Sequence, residues 1–182
     1  MADLDGDGLL DVLSGSWPGE LFLFRAYGTA AFAAPEMLKD KDGKTINIGG
    51  GIEEQPDGSY LVYGTTTTEE TAEGRFIVYQ EERILSTPEK PVYTTGTASA
   101  IHAVDWDGDD DLDLLVGDIR GRVHLVTNEG TSTAYSFGDA RQLDAGGQPL
   151  TVSGDAGPFA ADWDGDGDLD LIVGAGNGAV TL

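Results

Sequence analysis

Cysteine is absent from the chain, which excludes a disulfide framework, a thiolate metal site and a cysteine nucleophile. Positive charge is scarce. Ten Lys and Arg stand against 33 Asp and Glu, and the formal net charge of −23 offers a phosphate backbone no basic patch. Nucleic acid is therefore not an expected partner. No stretch approaches the ~20 apolar residues of a membrane-spanning helix, so no membrane span is expected. Met1-Ala2-Asp3 opens acidic, without the basic and apolar regions of an export signal. Histidine is limited to His102 and His124, and no Ser/His/Asp or Cys/His constellation can be built around them, so the chain is not expected to be an enzyme. What is present is glycine, 27 residues of it, with a hydrophobic share of 40%, a composition that suits a globular chain of tight turns around a core.

The acids are not scattered. One segment recurs three times, as Asp3-Leu4-Asp5-Gly6-Asp7-Gly8-Leu9-Leu10-Asp11, Asp105-Trp106-Asp107-Gly108-Asp109-Asp110-Asp111-Leu112-Asp113 and Asp162-Trp163-Asp164-Gly165-Asp166-Gly167-Asp168-Leu169-Asp170. These are loops I, II and III. Each runs into an apolar tail closed by a glycine: Gly15, Gly117 or Gly174. Loops II and III start 57 residues apart and loops I and II 102, about two periods, so a degraded copy is expected between them. Ile52 to Gly64 fits: Tyr60-Leu61-Val62-Tyr63-Gly64 keeps the tail, while Ile52, Glu54, Pro56 and Tyr60 replace the four shared aspartates.

The segment after each copy repeats as well. Glu20 to Ala26, Gly74 to Gln80, Arg122 to Asn128 and Gly178 to Leu182 read as strands bounded by glycine. Asp42 to Ile48 pairs with Gly146 to Val152 as a turn leading into a strand, and Ser99 to Val104 and Pro158 to Ala161 read as strands entering loops II and III. The sum is about four short strands per period and no amphipathic helix, the arithmetic of a propeller blade. The expected fold is all-β, with β-propeller blades of four antiparallel strands in about three and a half repeats: 1–51, 52–104 with the degenerate loop, 105–161, and a partial 162–182. The chain is expected to be a segment of a larger ring, with self-association through open strand edges as the alternative.

The repeated residues resemble the FG-GAP or VCBS repeat family, propeller repeats also found in integrin α-subunit heads and in many secreted bacterial proteins. The likeness covers nearly the whole chain. It implies that each Asp-x-Asp-x-Asp-Gly-x-x-Asp loop joins the first two strands of a blade and binds calcium. Calcium takes six to eight oxygen ligands, and alternate side chains of a tight loop can supply them. The implied ligands are Asp3, Asp5, Asp7 and Asp11; Asp105, Asp107, Asp109 and Asp113; and Asp162, Asp164, Asp166 and Asp170, with the carbonyls of Leu9, Asp111 and Asp168 at position 7. About three ions are implied. Position 6 must turn sharply, which suits Gly8 and Gly167; Asp110 departs there, and loop II is expected to be the weakest or most strained. An EF-hand shares the opening but needs Glu at position 12, which here is Ser14, Val116 or Val173.

The remaining candidates read as structural. His102 and His124 fall in predicted strands and are expected to take packed or half-exposed sheet positions there. Glu53-Glu54 and Glu69-Glu70 are adjacent acids that point apart and face water. Trp106 and Trp163 share position 2 and are expected to pack between neighbouring blades, while Trp17, in a Ser-Trp-Pro-Gly turn, divides evenly between packing and ligand contact. Thr65 to Glu70 reads as a long polar loop. The expected function is a calcium-stabilised extracellular module binding protein or glycan, in adhesion, from a secreted or surface-attached parent whose export signal lies upstream. The alternatives are a non-catalytic propeller within a secreted carbohydrate-active enzyme, or a self-assembling surface or fibre protein.

Overall fold

The computed structural model describes residues 1–16, 19–48, 51–54, 60–71, 74–85 and 98–182, and over 51–54, 60–71, 74–85 and 98–99 it describes the backbone alone. Trp17, and 55–59 of the degraded loop with Pro56, lie outside these residues. Among the described residues the chain is all-β, its strands paired antiparallel and without a helix.

The first sheet contains β1 (Val12–Gly15) and β2 (Leu21–Phe24), hydrogen-bonded from Val12↔Phe24 to Gly15↔Leu21. A small hairpin of β3 (Ala26–Gly28) and β4 (Ala31–Phe32) comes next, and β5 (Glu36–Met37) then returns to the outer edge of β2. After it stands a three-stranded sheet of its own, β6 (Gly51–Glu54), β7 (Tyr60–Thr71) and β8 (Gly74–Leu85). Its hairpin corrects the reading of Thr65 to Glu70 as a loop: those residues continue β7 and pair with β8 from Thr65↔Gln80 to Glu70↔Arg75. Threonine is a strand former, and cross-strand pairing outweighs the polarity that suggested a loop.

The third repeat gives the fullest sheet. β9 (Ala98–Val104), β10 (Asp113–Asp118), β11 (Val123–Val126) and β12 (Arg141–Gln142) form a four-stranded meander. A short hairpin of β13 (Asp144–Ala145) and β14 (Gln148–Pro149) succeeds it. β15 (Gly157–Ala161), β16 (Asp170–Gly174) and β17 (Val180–Thr181) make a three-stranded meander in the same order. Each meander starts one strand before its acidic loop, so the sheets run one strand ahead of the sequence repeats.

The repeats agree bond by bond. After the apolar tail, the carbonyls of Ser16, Asp118 and Ala175 accept from the N–H of Gly19, Gly121 and Gly178, all three glycines at positive φ. The echo between Asp42–Ile48 and Gly146–Val152 is real: Ile48 donates to the Gly19 carbonyl as Val152 does to that of Gly121.

Two hydrophobic clusters join the sheets. Leu4, Leu21, Leu23, Leu38, Ile46 and Ile48 of the first repeat pack directly against Leu114, Val116, Val126 and Phe137 of the third. The opposite face of that third sheet, through Leu115, Val123 and Leu125, packs against Ala156, Ala160 and Val173. Both faces of β10 are thus covered, which is why all six of its residues are buried where a one-faced strand would alternate. The sequence places a whole period between the first and third repeats, yet these two share one core.

Candidate metal centres

The acidic loops occupy equivalent places. Each is a hairpin connection closed by pairing the residue before position 1 with position 9: Ala2↔Asp11, Val104↔Asp113 and Ala161↔Asp170. Two carboxylates hold each loop in shape. At position 9, Asp11, Asp113 and Asp170 accept the N–H of position 2 from Leu4, Trp106 and Trp163 at 3.2, 3.0 and 2.9 Å. The other oxygens of Asp11 and Asp113 accept the N–H of Ala26 and Asn128 at 2.8 and 2.7 Å, pinning the loop to the end of the next strand. At position 1, Asp3, Asp105 and Asp162 accept N–H groups from positions 4 and 6, and the first two also from position 5.

This inward folding explains the backbone. Position 6 has positive φ in all three loops, 86° at Gly8, 69° at Asp110 and 98° at Gly167, so Asp110 occupies the left-handed region that its loop demands. Position 4 does the same at Gly6, Gly108 and Gly165, a requirement that sequence reasoning missed although glycine stands there three times.

The structure brings together positions 1, 3 and 9. Carboxylate oxygens of Asp3, Asp5 and Asp11 lie within 4.8 Å of one another, as do those of Asp105, Asp107 and Asp113 and those of Asp162, Asp164 and Asp170. Position 5 stands outside these triplets: Asp7, Asp109 and Asp166 each accept the N–H of position 7, from Leu9, Asp111 and Asp168. Such oxygen-only donor sets suit a hard cation. In the loop I triplet, Asp5 Oδ1 is buried without a hydrogen-bond partner, a cost that a bound cation would remove. The clusters could hold a metal ion, and the residues present fit one.

Electrostatics distinguishes the loops. Asp111 is only 4% exposed; burial raises its carboxyl to about 6, helped by the charges of Asp109, Asp113 and Asp107. Burial likewise raises Asp113, against the N–H groups of Asn128 and Trp106 that favour its charge. In loop I an internal cation is present. Arg25, just after β2, donates from Nη1 to Asp5 Oδ2, from Nε to Glu36 Oε1 at 2.7 Å and from Nη2 to the Tyr135 hydroxyl at 2.7 Å. Burial opposes its charge, but Glu36, Tyr135 and Asp5 together raise its pKa, so it stays protonated.

Both histidines sit in packed positions. His102 Nε2 lies 3.3 Å from the Ala160 carbonyl and its ring packs against Phe159, and burial lowers its pKa. His124 lies 3.4 Å from Asp118, which Arg122 also binds through Nε at 2.6 Å. Burial pushes the Asp118 carboxyl up, but His124 and Arg122 overcome this and hold it below the usual range.

The tryptophans separate. Trp106 packs against the cluster between the third and fourth repeats, as expected, but Trp163 is 67% exposed. Among the described residues no sheet lies over Trp163 as one does over Trp106.

Residues 105–173, from the start of loop II into β16, match the family described as the FG-GAP-like repeat, in accord with the resemblance read from the sequence. No curated protein matches the chain.

Proposed function

With residues 105–173 an FG-GAP-like repeat, we propose that the chain is a calcium-stabilised, non-catalytic binding module whose stacked sheets are propeller blades and which works outside the cell. The observation that carries this reading is the threefold carboxylate triplet at positions 1, 3 and 9, closed each time by the same strand pair. Nine residues that place three carboxylates within one coordination sphere repel each other unless a cation lies among them. Calcium is preferred over magnesium because a loop of carboxylates and carbonyls meets its looser, higher coordination more readily than a strict octahedron.

The chain's own residues supply the scaffold. Position 9 anchors the loop to the sheet, position 1 gathers its N–H groups, and position 3 has oxygen to spare. An ion bound there would neutralise charge at the point where two strands meet.

The extracellular part of the proposal expects low-affinity loops. Calcium modules outside cells work at dissociation constants of ~10⁻⁴ to 10⁻³ M, far above cytosolic free calcium. No helix among the described residues is long and apolar enough to cross a membrane. The partner is a protein or a glycan, to be sought on glycan arrays and by adhesion assay. The engagement of His102 with Ala160 and Phe159, and of His124 with Asp118, supports the non-catalytic reading.

The test is a thermal melt with calcium, with magnesium and with chelator, beside a calorimetric titration. Calcium should raise the melting temperature by mass action on the native state, and three ions should bind. A melting temperature indifferent to millimolar calcium would overturn the proposal.

A further inference from the structure

The three loops share a backbone but not a charge. Between positions 1 and 9 loop I carries four aspartates, loop II six and loop III five. Loop I alone has glycine and leucine, Gly8 and Leu9, where loop II has Asp110 and Asp111. Arg25 then reduces its negative charge further by binding Asp5, the position-3 carboxylate. The matching residue in the third repeat is Thr127, since Ala26 and Asn128 make the same bond to position 9.

Arg25 also reaches across the seam between repeats. Its Nη2 binds Tyr135 of the third repeat, and its guanidinium carbon lies 5.6 Å from the centre of that ring. The loop itself touches the same neighbour: a Cβ built on Gly6 would lie 2.6 Å from Thr133 Cγ2 and 3.3 Å from the Ser132 carbonyl oxygen.

Resting on the calcium reading above, we propose that Arg25 makes loop I the low-affinity site of the three, an internal cation set against the divalent ion at Asp5 and tied to the contact between the first and third repeats. Two effects oppose each other at this residue. Arg25 holds Asp5 in place, and ordering one side chain is worth a several-fold gain in affinity. Its charge repels the ion, and a unit charge close to a divalent cation costs about tenfold in affinity even at the dielectric of bulk water, more in a partly buried site. Repulsion wins. On this proposal loop I rather than loop II is the weakest site, although Asp110 takes the left-handed conformation expected of the more strained loop.

Calorimetric titration with calcium alone tests this on the full chain. In a background where Asp105→Ala and Asp162→Ala empty loops II and III, Arg25→Gln, which keeps a hydrogen-bond donor and removes the charge, should tighten loop I about tenfold. Arg25→Lys keeps the charge and should leave the constant within about threefold of the parent, a rescue that a purely structural role would not give. Should the double variant fail to fold, Arg25→Gln in the otherwise unaltered chain should tighten the weakest of the three binding events and leave the others unchanged. An unchanged or weakened loop I in Arg25→Gln, with calcium still bound at loops II and III, overturns the Arg25 assignment alone. No calcium uptake by the parent chain overturns the calcium reading and this inference with it.

Discussion

Burial raises the Asp111 carboxyl to about 6, against 3.8 when unperturbed, with the charges of Asp109, Asp113 and Asp107 adding to it. A carboxyl raised on folding binds its proton more tightly in the native state, so native stability is lost as pH rises from about 4 through about 6 and the loss is complete above that. Without metal, Asp111→Asn should therefore do little at pH 4 and raise the melting temperature increasingly towards pH 7. Melts in chelator at several pH values, parent against variant, measure the difference, and a gap constant with pH would show that Asp111 does not titrate in this window. Added calcium should flatten the parent's dependence, because the ion replaces the proton as the partner of the loop's carboxylates.

The closing glycine of each apolar tail was legible as a repeated letter, but its role differs between copies. At Gly117 an added Cβ would lie 1.9 Å from the Ala156 carbonyl oxygen and 2.8 Å from Pro158 Cδ, because the backbone entering β15 runs directly over the end of β10. At Gly174 the nearest such atom is the Gly157 carbonyl oxygen at 3.8 Å, an ordinary contact. Gly117→Ala should cost about 2–3 kcal/mol by overpacking, while Gly174→Ala should stay within about 1 kcal/mol. Urea unfolding of the two variants decides this; equal costs would mean that the glycine serves turn geometry alone. Similar reasoning separates the tryptophans, since Trp106 has a neighbouring sheet to pack on and Trp163 has none among the described residues.

Direct packing of the first repeat on the third bears on the whole molecule. Loops I and II start 102 residues apart; taking out the 47 residues of 51–97 leaves 55, close to the 57 between loops II and III. That agreement, and the separate sheet formed by β6, β7 and β8, fit an insertion between two consecutive repeats better than a degraded repeat standing between them. Joining Gly50 to Ala98 through a short Gly-Ser linker should leave the calcium stoichiometry at three and the calcium-dependent rise in melting temperature intact. Loop-closure entropy favours the shorter connection slightly. Loss of one ion, or of cooperative unfolding, would place 51–97 within the stack.

The sequence by itself determined the loops and their frame. Asp and Gly at fixed spacing dictate which N–H groups a carboxylate can reach within nine residues and where the backbone must take positive φ, so the turns, the strand tails and the meeting of positions 1, 3 and 9 could be read along the chain. Two positions departed from that reading: position 4 also takes positive φ, and position 5 serves the loop's own N–H and stands apart from the triplet. Tertiary structure decided everything that depends on a neighbour. Arg25 meets Tyr135 across 110 residues of sequence, Lys41 meets Glu129 across 88, and the first repeat finds the third past the intervening segment. A carboxylate bound to its own loop answers to local covalent reach, which spacing records. A guanidinium placed against a distant tyrosine, or an ammonium against a distant carboxylate, answers to which sheets stack, and that is settled by the burial of Leu21, Leu23, Leu114 and Val116 in one core, which no local spacing encodes.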